Sequence, residues 1–398
     1  MLVKAGALFA AALLLSTPAA ADTGWVGSWA TSQQIPEERN ALAAQDLDDA
    51  TLRQTVHLSI GGDTLRVRLS NAFGTAPLHI ASARVARAAA SGSDTIEPGS
   101  DRELRFAGQT DVTIPAGAEY VSDAVALTGR DIAISLYFDA APAQQTSHPG
   151  SRTTTYLLHG NHAADTALPG AAKIEHWFHI AGIDVSAGTG AVSIIGDSIT
   201  DGRGSTTNHN DRWTDALADR FAAAKMPVGV LNHGIGGGHV LLDGLGPNAM
   251  SRFDRDVLAQ TGARWLIVFE AINDIGTFDR DGSKPKAAHD LLVRQLTTAY
   301  GQMIDKAHAA GLKIYGATIT PFMDCTPYRP RPVTEADRVA VNGWIRGHFD
   351  AVLDFDAAVR DPARPDHLAA AYDSGDGLHL SPAGYRALAA AIPLSLFQ

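Results

Sequence analysis

Two hydrophobic periodicities divide the chain. From about Trp25 to Gly182, apolar residues alternate with polar ones in short runs such as Thr55 to Ile60, Leu65 to Leu69 and Asp131 to Phe138. A period of two predicts half-buried strands. Leu78 to Val85, Glu103 to Phe106 and Asp111 to Ile114 are further candidates, separated by clusters of Gly, Pro, Ser and Asp. Gly61-Gly62-Asp63, lying between two alternating runs, predicts a hairpin. Short strands at this spacing predict a β-sandwich, jelly-roll-like, and no chemical constellation stands out within it.

After the small-residue stretch Ser186-Ala187-Gly188-Thr189-Gly190, the pattern becomes strand, helix, strand. Five apolar runs qualify as buried strands: Ala191 to Ile195, Val228 to Leu231, Trp265 to Phe269, Lys313 to Ile319 and Ala351 to Phe355. Helical patterns alternate with them. Asp211 is a candidate N-cap before Trp213, Leu217 and Phe221. Leu292, Leu296, Tyr300, Met303 and Ile304 share one face of a helix over Lys286 to Ala310, closed by Gly311 as a C-cap. Another helix begins at Thr334. This grammar predicts a three-layer α/β/α sandwich around a five-stranded parallel sheet. Two domains are therefore expected, residues 22–185 and 186–398.

Residues 1–21 have the form of an export signal: Lys4, an apolar run from Ala5 to Leu15, Pro18, and Ala19-Ala20-Ala21 before Asp22. The run is too short to span a bilayer, and no later stretch reaches roughly 18 apolar residues. The mature protein is expected to be soluble and secreted or periplasmic. Cys325 is the only cysteine, so no internal disulfide can form, and an inert thiol is its expected state. A formal net charge of −11 argues against nucleic acid or an anionic membrane as partner, and makes an acidic polymer a poor substrate.

The candidate chemistry gathers at the carboxyl ends of the parallel strands, where ligands bind in such sheets. Strand one runs into Gly196-Asp197-Ser198-Ile199-Thr200-Asp201-Gly202, strand two into Asn232-His233-Gly234-Ile235-Gly236-Gly237-Gly238, and strand three into Glu270-Ala271-Ile272-Asn273-Asp274. Asp376-Gly377-Leu378-His379 precedes a last helix opened by Ser381-Pro382. Each motif alone is equally a turn or a cap, and Ser198 alone is equally structural or phosphate-binding. Thr200 stands where the nucleophile elbow Gly-x-Ser-x-Gly needs its second glycine, which weakens an α/β-hydrolase reading. Together the motifs supply a nucleophile, a base, an acid to orient it and donors for an oxyanion, the requirements of acyl transfer.

In their order and content these four motifs resemble the sequence blocks of the SGNH (GDSL-type) hydrolase superfamily, whose fold is flavodoxin-like. The stretches 196–206, 232–245 and 270–276 are most similar to the branch typified by an esterase from a rumen bacterial xylanase cluster, which carries a similar β-rich N-terminal region. The resemblance implies Ser198 as nucleophile, His379 as base and Asp376 as the acid that orients it. It also implies an oxyanion hole formed by the backbone N–H groups of Ser198 and Gly237 and by the side-chain amide of Asn273, with no metal or cofactor. One departure is Ala271, where the family has glycine; Gly236 is a rival for Gly237.

His233 and His239 flank the glycine loop and are alternative bases, with a rim or surface role as the plainer reading. Asp197, Glu270 and Asp274 are expected to bond loop backbones. No long apolar lid follows any strand, which favours a short acyl group such as acetate. The loop Thr320 to Pro332 offers Phe322, Tyr328, Arg329 and Arg331 as a wall for a sugar or aromatic alcohol, or is a stiff connector. Three functions follow: a secreted esterase of short acyl esters on plant cell-wall carbohydrate, a lipase or lysophospholipase with the same chemistry, or a carbohydrate-binding protein with an inactive hydrolase domain.

Overall fold

The computed structural model describes residues 24–398, so the expected export signal lies outside the described residues. The N-terminal region forms two antiparallel sheets. In one, Val26–Ala30, Ile180–Val185, Thr64–Ser70 and Glu119–Val121 lie side by side. The other is built mainly from Thr155–His159, Ala50–His57, Asp131–Phe138 and Ser82–Arg87. The alternation explains their packing: Leu65, Val67 and Leu69 from the first sheet meet Ile132, Ile134 and Leu136 from the second in one buried core.

The expected hairpin is not made. Ala50–His57 and Thr64–Ser70 belong to different sheets, and the chain crosses between them through residues 58–63. Neither Gly61 nor Gly62 adopts the left-handed backbone that a two-residue hairpin turn requires. Instead the backbone N–H and hydroxyl of Ser59 both bond the Ser28 carbonyl, at 3.0 and 2.5 Å. The run Leu78 to Val85 also divides, into Leu78–Ile80 pairing with Val112–Ile114 and Ser82–Arg87 in the larger sheet.

The five predicted parallel strands are Gly190–Gly196, Val228–Gly234, Ala263–Phe269, Lys313–Ala317 and Ala351–Leu353, arranged 2-1-3-4-5. All pairs are parallel, with strand one lying between strands two and three. The helix Trp213–Ala223 packs on Pro382–Ala390, and Lys286–Ala309 packs on Pro332–His348, giving the two helical layers. Strand five stops at Leu353 because the Asp354 carboxylate accepts from the Ala357 N–H and caps the helix Phe355–Val359. Asp211 is not the cap of the first long helix. It accepts from Thr206 N–H at 2.8 Å, and the cap position falls on Arg212, whose N–H is taken by Asp215. Gly311 follows the Lys286–Ala309 helix in the left-handed conformation, at φ +76°.

The two regions are joined through the strand Val26–Ala30. It pairs antiparallel with Ile180–Val185 on one side and packs against Val228–Gly234 on the other. Val26 and Ala30 share a small core with Ala191 and Leu231. Backbones approach so closely here that a Cβ at Gly229 would lie 2.0 Å from the Gly27 carbonyl oxygen.

Candidate active site

Register brings the motifs together. Gly196 stands opposite both Gly234 and Phe269, so strands one, two and three end level and release their loops at one edge. The chain turns sharply after Gly196, where a Cβ would sit 2.2 Å from the Thr200 hydroxyl. Asp197 caps the short helix Ser198–Asp201 by accepting from Ile199 N–H at 2.9 Å. Ser198 is thereby fixed at the first helical position. Among the described residues no acceptor takes up its backbone N–H, nor those of Gly236 and Gly237.

Ser198 comes within 2.8 Å of the Nε2 atom of His379, across a sequence separation of 181 residues. His379 Nδ1 lies 2.6 Å from Asp376 Oδ2, while Asp376 Oδ1 accepts the backbone N–H groups of His379 at 2.8 Å and Leu378 at 3.0 Å. Burial works to raise the Asp376 pKa, but the bonds from His379 and Leu378 outweigh it and hold the carboxyl well below its ordinary value. An ionised carboxylate can only accept, so Nδ1 carries the proton and Nε2 is left to accept from the Ser198 hydroxyl. The loop is itself anchored, because Asp373 Oδ1 accepts from the N–H groups of Gly375, Asp376 and Gly377.

The alternative bases do not reach Ser198. His233 is buried with neither ring nitrogen bonded, and burial pushes its pKa down to about 3. His239 faces Thr277 Oγ1 at 3.3 Å. Asn273 is buried beside the glycine loop, donating through Nδ2 to the Gly238 carbonyl at 2.7 Å. A carbonyl can only accept, which identifies the nitrogen end of the amide and leaves it one further proton. Its other end accepts from the Tyr328 hydroxyl.

Ala271, the residue that replaces the family's glycine, has φ +89° and is fully buried. A left-handed backbone at this point explains why glycine suits it; a methyl group there costs roughly 1–2 kcal/mol. Asp197 and Asp274 bond loop backbones as expected, Asp274 accepting from Val240 and Leu241. Glu270 bonds the Ala271 backbone and also meets the guanidinium of Arg252 at 3.1 Å. Burial raises the pKa of all three carboxyls above the ordinary range. Arg252, fully buried, also donates to the carbonyls of Gly196 and His233 and so ties the ends of strands one and two.

No motif in the sequence marks His148. Its Nε2 lies 2.8 Å from Asp201 Oδ1, three residues after Ser198, and its Nδ1 lies 2.8 Å from the Ser32 carbonyl. His148 and Asp201 are both buried, and the pair fastens the β-rich region to the turn that carries Ser198.

Ser198, Gly236, Gly237, Asp376 and His379 open onto one cleft of about 470 Å³. Gln34, Glu37, Arg39, Asn40, Pro149, Gly150 and Arg152 from the β-rich region line its other side. Of the expected wall after strand four, Tyr328 reaches the cleft, with Cys325 and Pro327 beside it. Phe322 is core, and Arg331 leans towards Asp279 at 3.9 Å. Burial pushes the Cys325 thiol up, in keeping with an inert group. No helix among the described residues is long and apolar enough to cross a membrane.

Residues 194–387 match the model of the GDSL-like lipase/acylhydrolase family. Solved structures similar to this chain include an acetylxylan esterase from Geobacillus stearothermophilus, 21% identical, covering 52% of this chain and 93% of that one with a TM-score of 0.38. A lipase/acylhydrolase from Enterococcus faecalis is 20% identical over 51% of this chain and 92% of its own, at a TM-score of 0.37. A GDSL-like lipase from Bacteroides thetaiotaomicron is 16% identical over 52% and 87%, at 0.38. None of the curated proteins matches the chain.

Proposed function

The C-terminal region belongs to the SGNH (GDSL-type) hydrolases and the protein is a carboxylic ester hydrolase; from that premise we propose an exported serine esterase that removes short acyl groups, acetyl foremost, from plant cell-wall carbohydrate. In this reading residues 22–185 and 186–398 are its two domains. The observation that carries the proposal is the Ser198–His379–Asp376 line of contacts at 2.8 and 2.6 Å.

His379 Nε2 takes the Ser198 hydroxyl proton as Oγ attacks the ester carbonyl carbon. The carbonyl oxygen becomes an oxyanion received by the N–H groups of Ser198 and Gly237 and the remaining Asn273 amide proton. As the tetrahedral intermediate collapses, the ester C–O bond breaks and Nε2–H protonates the departing alcohol. Water then gives a proton to Nε2, attacks the acyl-enzyme carbonyl, and Ser198 leaves with that proton. Asp376 remains ionised and holds the imidazole in the required tautomer throughout. The polar lining and modest volume of the cleft suit a sugar alcohol with a small acyl group better than a long chain.

Labelling by an organophosphate, combined with hydrolysis of acetylated xylan, other acetylated glycans and aryl esters of increasing chain length, tests the assignment. Wild-type protein is expected to be labelled, and Ser198→Ala to lose both labelling and turnover by at least about 10⁴-fold. An unlabelled, inactive wild type would refute it; peak activity on long-chain esters would favour a lipase.

A further inference from the structure

Most half-buried or buried arginines in this chain are spoken for: Arg212 meets Asp215, Arg252 meets Asp256 and Glu270, and Arg338 meets Glu335 and Asp356. Two guanidinium groups in the Ser198 cleft are not. Half-buried Arg152, from the β-rich region, and exposed Arg203, two residues beyond the Ser198–Asp201 helix, both line it, and among the described residues neither has a carboxylate within ion-pair distance. The cleft's own carboxylates are engaged elsewhere: Glu37 with Asn40 and Arg39, Asp201 with His148, Asp376 with His379. The Arg152 Nε is shielded from solvent without a hydrogen-bond partner.

The backbone that carries each arginine is anchored. Arg152 has φ +49°, a left-handed conformation that a non-glycine residue keeps only where its surroundings impose it. Asn208 supplies that constraint, donating from its N–H to the Arg152 carbonyl at 2.9 Å and bonding Thr154 through both ends of its amide. Arg212 adds a second clamp, donating to the carbonyls of Ser151 and Asp201. Arg203 is tied to the nucleophile by its backbone N–H, which donates to the Ser198 carbonyl at 2.9 Å. Loops from the two regions thus bring two cations without carboxylate partners to the cleft that holds the reacting hydroxyl, a setting that suits an anion.

We propose that Arg152 and Arg203 form a subsite for a carboxylate carried by the alcohol portion of the ester, so that the enzyme acts on short acyl esters of acidic sugars. The inference rests on the esterase reading above: with a small acyl group, a charge recognised outside the reacting centre belongs to the alcohol. A net charge of −11 predicts a poor response to acidic polymers, but recognition in the cleft depends on the local pair and not on the sum over the surface.

The test compares hydrolysis of an O-acetylated methyl uronoside bearing a free carboxylate with that of its neutral methyl ester. The wild type should favour the acid, and Arg152→Gln/Arg203→Gln should lower the ratio of the two kcat/KM values on the order of 10- to 100-fold. The change is expected in KM, should shrink with added salt, and should be partly restored by lysine at both positions. Because the ratio is taken within each variant, a partly folded preparation does not obscure it. A wild-type ratio near one, or a ratio the double variant leaves unchanged, overturns the subsite while the esterase reading stands. Preference for a phosphate-bearing lysophospholipid over the uronoside overturns the sugar assignment. Absence of Ser198-dependent hydrolysis of p-nitrophenyl acetate overturns the esterase reading and the subsite with it.

Discussion

The two sides of the cleft are made differently. The α/β side presents a hydroxyl 2.8 Å from an imidazole that lies 2.6 Å from a carboxylate, all at the end of one parallel sheet or just before its last helix. The β-rich side presents Gln34, Glu37, Arg39, Asn40 and Arg152, drawn from two stretches of chain more than a hundred residues apart. Groups that must make and break bonds cluster where a sheet delivers several strand ends at once. Groups that only select a substrate need a rigid wall, and a second region packed against the first provides it.

Substitutions on each side probe this division. The largest effect is expected on the chemical side: Asn273→Ala should lower kcat about 10²–10³-fold with little change in KM. Tyr328→Phe, which frees the far end of the same amide, should act in the same direction and less. Near-wild-type kcat in a folded Asn273→Ala protein would remove Asn273 from the oxyanion hole.

Next comes the joint between the sides. His148→Ala leaves the buried Asp201 carboxylate without its partner, and breaking a buried pair costs about 3–5 kcal/mol. Urea unfolding should show that loss, with reduced turnover in the remaining folded protein because Asp201 shares the Ser198 turn. Stability within about 0.5 kcal/mol of wild type would mean the regions are held without it.

Each side also contains a buried neutral histidine, which allows the regions to be compared in acid. Burial lowers His179, in the β-rich region, to about 4 and His233, on the α/β side, to about 3, from an ordinary 6.5. Below pH 6.5 the unfolded chain takes up protons at these sites and the folded chain does not, so stability falls as pH drops towards the folded values. His179→Gln and His233→Gln should each flatten the decline between pH 6.5 and 4.5 by about 2 kcal/mol, measured as urea midpoints. An unaltered slope would show that neither histidine governs the acid limb.

The smallest effect is expected at Ala271. Glycine accommodates φ +89° without a Cβ, so Ala271→Gly should stabilise the fold by about 1 kcal/mol despite added unfolded-state entropy. Calorimetry decides the sign, and a lower Tm would mean the methyl group's packing outweighs the strain.

Legibility in the sequence followed the same division. The parallel strands were readable because each is a short continuous apolar run, and their loops because glycine and polar residues end each run abruptly. Ser198, Asp376 and His379 came from short motifs, and the structure brings them into contact. The failures lie where distant partners decide. Gly61-Gly62-Asp63 reads as a hairpin, yet Ser28, more than thirty residues earlier, holds Ser59 and sends the chain to the other sheet. Arg252 and His148 carry no local signal, because their partners Glu270 and Asp201 are defined only by tertiary packing. The left-handed backbone at Ala271 was hidden for the opposite reason, since alanine conceals a conformation that glycine would advertise.

The edge strand Val26–Ala30 also sets a timetable. Its partners, Ile180–Val185 and Val228–Gly234, emerge from the ribosome long after it does. The amino-terminal segment must therefore wait, unpaired, until the chain has been made as far as Val185, which makes assembly of the β-rich region a closing of ends instead of a progressive build from one terminus. Circular permutants that place this segment beside its partners in sequence should mature faster.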